Sequence, residues 1–337
     1  MCGIVIWQGK EVPIKTLFDC AVINNHRGEE DGFGYIDFTN NKVSKTILHF
    51  DEIEKGVLDD KRDTDKPKEQ ANLKRRLTIV KKELYNKSNF VLFHHRKASA
   101  GGIHIVNTHP LKIKNNLYYC QNGTISDYWL LRKYFQMFND KKYKSTTDSE
   151  FVGMFVEDLM KKEKDLKKVH KILGELFYSF GVIIRIDKKN KELTIFKDDD
   201  RSLYVYHMED GGILLISEPQ FQIKNFKKCY KLVSGVFKLN EKGFTTIDGK
   251  IKNVTKKLLE YIEMKESDFC CDNGQCKCKN TIRFGKLGLK DYCLNCLVSS
   301  NQLEGVDIPV KSITTSTKMY GNNYYKSRMS GLIEYIG

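Results

Sequence analysis

Apolar positions recur in short runs near the start of the chain, at helical spacing in its middle, and in short runs again up to about residue 250. Cys2–Trp7 is the first apolar run, and His26-Arg27-Gly28 and Asp31-Gly32-Phe33-Gly34-Tyr35 read as Gly-rich turns after it. Residues 51–88 are highly charged with a helical pattern, since Leu73, Leu77, Val80 and Leu84 are spaced by 4, 3 and 4 and make one narrow apolar face. Phe90–His95 and Leu117–Cys120 read as buried strands. A helix is predicted from Ser126 onward, with Ser126 or Asp127 near its cap and Tyr128, Leu131 and Phe135 on one side. Asp148–Met160 and Leu166–Phe177 are amphipathic helices. Val182–Ile186, Leu193–Phe196, Leu203–Tyr206, Ile213–Ile216 and Val236–Leu239 are strand-like in succession.

Strands, then helices, then strands suit an α+β sandwich with helical layers better than the alternating βαβ units of a doubly wound sheet. Beyond this unit, residues 251–269 read as a charged helical connection and 270–298 as a cysteine-rich module. The tail 299–337, rich in Ser, Thr, Asn and Tyr, is weakly specified, and no internal repeat is visible.

Composition changes this picture little. At 337 residues, with 40% hydrophobic and 30% charged side chains, the chain can bury a full core and is not of the disordered class. At about 150 residues per domain it divides into roughly two. No apolar run approaches the roughly 18 residues of a membrane helix; Phe180–Ile186 and Gly211–Ser217 are only strand-length. Met1–Lys10 lacks the basic lead-in of a secretory signal, so the expectation is a soluble, cytoplasmic protein with no membrane partner. The 57 basic and 43 acidic residues leave a net charge of +14. A basic surface attracts phosphate, but here lysines far outnumber arginines and are spread along the whole chain. Solvated lysine-rich faces are therefore favoured over a nucleic-acid partner.

The chemistry begins at Cys2. Its small side chain permits removal of Met1, which leaves a thiol and a free α-amine on one residue. An α-amine titrates near about 8, so it can serve as the thiol's own base. The competing reading is an ordinary buried cysteine at the start of a strand. Further along lie islands suited to attack on an amino-acid amide. In His94-His95-Arg96-Lys97-Ala98-Ser99, the Arg96 fork matches a carboxylate bidentately. Asn107-Thr108-His109-Pro110 follows. In Gln121-Asn122-Gly123-Thr124, an Asn amide beside a Gly N–H offers a two-donor oxyanion hole. Thr147-Asp148-Ser149-Glu150 opens a helix with a carboxylate able to hold an ammonium. Singly, each reads equally well as a turn, a cap or a surface ion pair.

Together, and in this order, these islands resemble the class II glutamine amidotransferase domain, an N-terminal-nucleophile (Ntn) hydrolase. The residues that carry the likeness are Met1-Cys2-Gly3-Ile4, His26-Arg27-Gly28, His95-Arg96-Lys97-Ala98-Ser99, Asn107-Thr108-His109-Pro110, Asn122-Gly123, Thr147-Asp148-Ser149-Glu150 and, later, Ser217-Glu218. The likeness spans about residues 2–245 and is nearest to stand-alone members without a fused synthase domain, some of which cleave other γ-glutamyl amides. It implies a four-layer αββα sandwich of two antiparallel sheets over residues 2–250. It also implies Cys2 as nucleophile, Asn122 and Gly123 as oxyanion donors, and Arg96, Ser99, His109 and Asp148 as substrate-binding residues, with no cofactor for catalysis. His109 reads equally as a turn-shaping residue before Pro110. Ser99 stands where Thr is more usual and Ala100 where some members have His. Glu29-Glu30-Asp31 lengthens the segment after Gly28. The implied substrate is glutamine or a related γ-glutamyl amide, with an ammonia-accepting synthase subunit as partner. The alternatives are a hydrolase that needs no acceptor, or an inactive scaffold that binds zinc or nucleic acid.

Six cysteines, Cys270, Cys271, Cys276, Cys278, Cys293 and Cys296, fall within 27 residues. Clustered cysteines in an intracellular chain more often bind metal than form disulfides. Cys293-x-x-Cys296 is one half of a zinc knuckle, and the other half comes from Cys271, Cys276 or Cys278, with Cys270 also in range. Four thiolates close a tetrahedral site, so the expected zinc is structural.

Overall fold

Ile4 and Ile6 alternate with Val5 and Trp7 along the first strand, and all four are buried. A strand with no polar face must be covered on both sides, and this requirement governs the whole architecture. The protein is described by a computed structural model. It describes residues 2–10, 13, 16–17, 20–21, 31–47, 88–126, 128–139, 142–218, 223, 225–254, 284–287 and 290–293. The helix expected over residues 51–88, Met1, His26–Gly28, most of the cysteine cluster and the tail lie outside the described residues.

The strands are β1 (Gly3–Gln8), β2 (Gly32–Asp37), β3 (Lys42–Thr46), β4 (Phe90–Arg96), β5 (Leu111–Lys114) and β6 (Leu117–Asn122). Three helices follow, α1 (Tyr128–Asn139), α2 (Asp148–Lys162) and α3 (Leu166–Leu176). Next come β7 (Val182–Asp187), β8 (Glu192–Lys197), β9 (Tyr204–Met208), β10 (Ile213–Ile216), β11 (Phe226–Asn240) and β12 (Gly243–Val254). A separate antiparallel hairpin joins β13 (Phe284–Leu287) to β14 (Lys290–Cys293).

The first twelve strands form one continuous path, β3-β2-β4-β1-β10-β9-β11-β8-β7-β6-β5, with β12 alongside β11. Its pairings are antiparallel. The path folds over at β11. This fifteen-residue strand pairs with β9 through Phe226–Lys231 and with β8 through Gly235–Leu239. The turnover coincides with register shifts against β12 and with Gly235 at φ 131°. A Cβ at Gly235 would lie 2.1 Å from the Asp248 carbonyl oxygen, so both the dihedral and the space select glycine.

Three apolar cores result. Ile4, Ile6 and Leu92 from one sheet meet Cys120, Ile184 and Ile195 from the other. On the outer face of the first sheet, Trp7, Phe93 and Tyr206 pack with Leu17, Cys20 and Ala21, of which Leu17, Cys20 and Ala21 are in helical conformation. On the outer face of the second, Tyr119, Ile183 and Phe196 pack with Phe151 and Phe155 of α2 and Leu173 of α3. Helices α2 and α3 thus cover the outer face of the second sheet.

Several elements differ from the sequence expectation. Asp31–Tyr35 is not a turn: Gly32–Asp37 is a fully buried strand. Gly34 belongs there because a Cβ would sit 2.0 Å from the His109 carbonyl oxygen, so the backbones touch where a side chain would stand. β3, β5 and β12 were not anticipated, since they are short or exposed and their lysines break the apolar alternation. Residues 251–254 extend β12 rather than beginning a helical connection, which carries the domain to at least Val254. No helix among the described residues is long and apolar enough to cross a membrane.

Candidate active site

Strand periodicity brings the chemistry to one end of the sandwich. Cys2 continues the inward-facing series of Ile4 and Ile6, His94 and Arg96 continue that of Phe90 and Leu92, and Asn122 continues that of Tyr118 and Cys120. The β1–β4 register, with Gly3 opposite His95, sets Cys2 at the level of Arg96. Ser217 fixes this end of β1: its hydroxyl accepts from the Ile4 N–H at 2.9 Å, and its own N–H donates to the Ile4 carbonyl at 3.0 Å.

The Cys2 thiol is buried between the polar groups of Lys97. The Lys97 N–H donates to Sγ at 3.5 Å, and the thiol donates to the Lys97 carbonyl at 3.8 Å. Burial pushes the thiol's pKa up; the Lys97 N–H and the Arg96 guanidinium pull it back, and Asp148 pushes it up again. Cys2 is therefore held mainly as a thiol that needs a base.

Arg96 is buried, and its guanidinium organises the loop that follows β4. Nη2 donates to Ala100 at 2.9 Å and Gly101 at 3.4 Å, and Nη1 donates to Gly102 at 3.2 Å, in each case to the carbonyl oxygen. Burial lowers its pKa, and the fields of Cys2, Asp31 and Asp148 raise it. The cation thus faces carbonyl dipoles within the field of the thiol and the carboxylates. Asn107 extends this frame, a role its island did not announce. Its amide nitrogen donates to the Gly102 carbonyl at 2.9 Å and to Thr146 Oγ1 at 3.0 Å, and its oxygen accepts from the Thr146 N–H at 3.0 Å. The Arg96 loop is thereby tied to the segment that leads into α2.

Asp148 opens α2. Oδ2 accepts from the Ile125 N–H at 2.8 Å, and Oδ1 accepts from the N–H and hydroxyl of Ser149 at 2.9 and 3.3 Å. Burial raises its pKa against these hydrogen bonds. Asp148 thus pins the turn after β6 as well as offering a carboxylate to the site. Its neighbours Thr147 and Glu150 serve the helix start instead: Thr147 accepts from the Glu150 N–H, and the Glu150 carboxylate accepts from the N–H groups of Lys144 and Ser145.

The decisive residue is Asn122. It is buried, yet among the described residues neither its side-chain oxygen nor its side-chain nitrogen has a hydrogen-bond partner. Leaving a buried amide unsatisfied costs about 1–3 kcal/mol, a cost that native folds bear at few positions. Gly123 follows, packed so tightly that a Cβ would lie 2.2 Å from the Phe180 carbonyl oxygen. Asp198 holds that neighbouring turn, accepting from the N–H groups of Phe180 and Gly181 at 2.6 and 2.7 Å. Ser99 bridges the two loops through its 2.8 Å contact with the Thr124 hydroxyl. The Cys2 field reaches Cys120, two residues before Asn122.

His109 stands apart from this ring. It is buried, with Nδ1 3.1 Å from His94 Nε2 and the rings edge to face at 4.3 Å between centroids. Asp31, which no motif singled out for a role, accepts from the Ala98 N–H at 2.7 Å and so helps to shape the loop.

Of the expected metal ligands, Cys271, Cys276, Cys278 and Cys296 lie outside the described residues, and Cys293 ends β14. Among the described residues no group of His, Cys, Asp or Glu is placed to hold a metal ion.

No protein-family model matches the sequence, and no curated protein matches it. Solved structures do. The chain is similar to glutamine phosphoribosylpyrophosphate (PRPP) amidotransferase from B. subtilis complexed with ADP and GMP. That likeness has a TM-score of 0.50 at 17% identity and covers 74% of this chain and 50% of that one. A glutamine aminotransferase class-II domain protein from Silicibacter pomeroyi aligns with a TM-score of 0.41 at 16% identity, over 74% of this chain and 99% of that one. The first likeness is one of fold alone, and the chain spans half the length of that enzyme.

Proposed function

We propose that the protein is a glutamine amidotransferase of the N-terminal-cysteine type, which hydrolyses the side-chain amide of glutamine and releases ammonia to an acceptor. The observation that carries this reading is the buried, unpartnered Asn122 amide at the same end of the sandwich as the Cys2 thiol. With Met1 removed, the Cys2 α-amine takes the thiol proton. The thiolate then attacks the carboxamide carbon, and the oxyanion is held by the Asn122 amide and the Gly123 N–H. The proton passes to the departing nitrogen, ammonia leaves, and a γ-glutamyl thioester remains. Water cleaves it to glutamate and restores the thiol. The raised thiol pKa fits this sequence, because it calls for a local base rather than a preformed thiolate. Arg96 pairs with the substrate α-carboxylate and Asp148 with its α-ammonium.

The test is purified protein with glutamine, with glutamate and ammonia measured and the N-terminus read by intact mass. Cys2→Ala is expected to abolish turnover and leave the fold intact. Met1 retained on active enzyme, or near wild-type turnover in the variant, overturns the mechanism.

For the C-terminal region the reading is a structural zinc held by four of Cys271, Cys276, Cys278, Cys293 and Cys296. The soft, closed thiolate set suits zinc. The β13–β14 hairpin lies after Cys278 and ends at Cys293, a spacing that suits a zinc ribbon. Elemental analysis is expected to give one zinc per chain. Chelation is expected to loosen the region after residue 254 and leave glutamine hydrolysis largely intact. A zinc-free protein refutes the site.

A further inference from the structure

The nucleophile and the oxyanion turn belong to different sheets: Cys2 precedes β1 of the first, and Asn122 ends β6 of the second. Their separation therefore depends on what ties the sheets together at this end. A direct polar tie runs from β4 to β6, where His94 Nε2 lies 3.1 Å from the carbonyl oxygen of Gln121, the residue before Asn122. The same Nε2 lies 3.1 Å from His109 Nδ1. We propose that His94 and His109 form a positioning pair in which His94 Nε2–H holds the Gln121 carbonyl and so fixes the Asn122 amide against Cys2. This inference rests on the glutaminase reading.

Proton placement follows from the contacts. A carbonyl oxygen only accepts, so Nε2 of His94 must carry the hydrogen. Nδ1 of His109 then faces that hydrogen with a lone pair, and the His109 proton belongs on Nε2. The reverse assignment would set a bare His94 nitrogen against the Gln121 oxygen. The neutral form of both rings is enforced from several directions. Both are deeply buried, Arg96 on β4 lies within field range of both, and Lys45 on β3 lies within range of His109. From β6, the group facing His94 is the Gln121 carbonyl.

Gly34 makes the pairing feasible. It sits opposite His94 in the β2–β4 register and lets the His109 backbone close onto β2. From the far side, Gln121 Nε2 donates to the Phe180 carbonyl at 3.2 Å, and Asp148 pins Ile125. The turn is clamped within its own sheet by these contacts and to the Cys2 sheet by His94.

The experiment compares His94→Leu, His94→Gln and His109→Leu in the full chain. The readouts are glutamine turnover, inhibition by glutamate, and inhibition by glutamate γ-semialdehyde, an aldehyde whose thiolate adduct needs the oxyanion donors. His94→Leu is expected to lower kcat about 10- to 100-fold, the scale of a small misplacement. KM and glutamate inhibition should stay within about twofold, and aldehyde affinity should fall in step with kcat. His94→Gln, whose amide can donate to Gln121, should recover most of the loss. His109→Leu should give a smaller effect of the same kind. Unchanged kcat in folded His94→Leu, equal losses in His94→Leu and His94→Gln, or a matching rise in KM overturns the proposal.

Should His94→Leu fail to fold, imidazole nitrogen NMR of the wild type decides. Both rings must be neutral with the proton on Nε2, and a proton on His94 Nδ1 overturns the assignment. If the wild type releases no glutamate, the glutaminase reading itself has failed. If the wild type is active and Asn122→Ala is slow but the histidine variants are not, only the present inference has.

Discussion

Two buried polar clusters border the second sheet, one on its helical face and one at the end it shares with the first sheet, and they are built on opposite principles. Around Glu157 the polar groups are joined to one another. Its Oε1 accepts from the Tyr119 hydroxyl at 2.9 Å and from Arg185 Nε at 2.7 Å, and Lys114 lies 3.9 Å from Oε2. At the Cys2 end, by contrast, the Asn122 amide, His94 Nδ1, His109 Nε2 and Gln121 Oε1 are buried without a partner. A cavity of about 320 Å³ opens beside the first cluster, lined by Glu157, Met160, Lys161, Glu163, Lys164 and Arg185. A concavity alone would suggest a site there. Satisfaction argues the other way: a network whose members are paired is scaffold, whereas unspent polar groups near a buried thiol have been left for something else to use.

Paired substitutions break or sharpen this contrast. Glu157→Ala strands Arg185 and Tyr119 in a buried position and is expected to cost about 3–5 kcal/mol of stability, read as a fall in denaturant midpoint, with kcat preserved. Asn122→Ala is expected to do the reverse. It should lower kcat about 100- to 1000-fold as an oxyanion donor is lost. It should leave stability within about 1 kcal/mol of wild type or raise it, because an unsatisfied amide is removed. A marked loss of stability in Asn122→Ala, or of kcat in Glu157→Ala, would dissolve the distinction between the two clusters.

The two regions also differ in how legible they were. Strands buried on both faces, such as Phe90–Arg96 and Val182–Asp187, announce themselves as continuous apolar runs, and α2 and α3 carry clear amphipathic spacing. The positions of Cys2, Arg96, Asn122 and Asp148 were legible because chemistry placed at strand ends and helix starts follows directly from those elements. β2 was misread because Gly32 and Gly34, chosen for backbone proximity to the Thr108–His109 segment, look like turn residues in isolation. β3 and β12 are exposed edges, where lysine replaces the apolar signal. The ties made by Asn107, His94 and Asp31 were hidden for a different reason. Each joins segments far apart in the chain, and a single side chain carries no mark of a partner 39, 27 or 67 residues away.

The smallest expected effect concerns acid. Burial holds the His94 pKa down to about 4, and His109 is also depressed by burial and by the neighbouring cations. In the unfolded chain both return to about 6.5. Between these values the unfolded state binds more protons than the folded one, so stability is complete above about pH 6.5 and is lost as pH falls toward 4. For His94 alone the loss reaches about 2 kcal/mol by pH 5. Asp148 and Asp198 oppose it, because burial raises their pKa and the folded state takes up their protons first. The difference between wild type and His94→Gln isolates the histidine contribution. The variant should lose less stability than wild type from pH 7 to 5, and the difference between them should become constant above pH 7. Parallel stability curves over that range would mean that His94 is not held neutral at the Gln121 carbonyl.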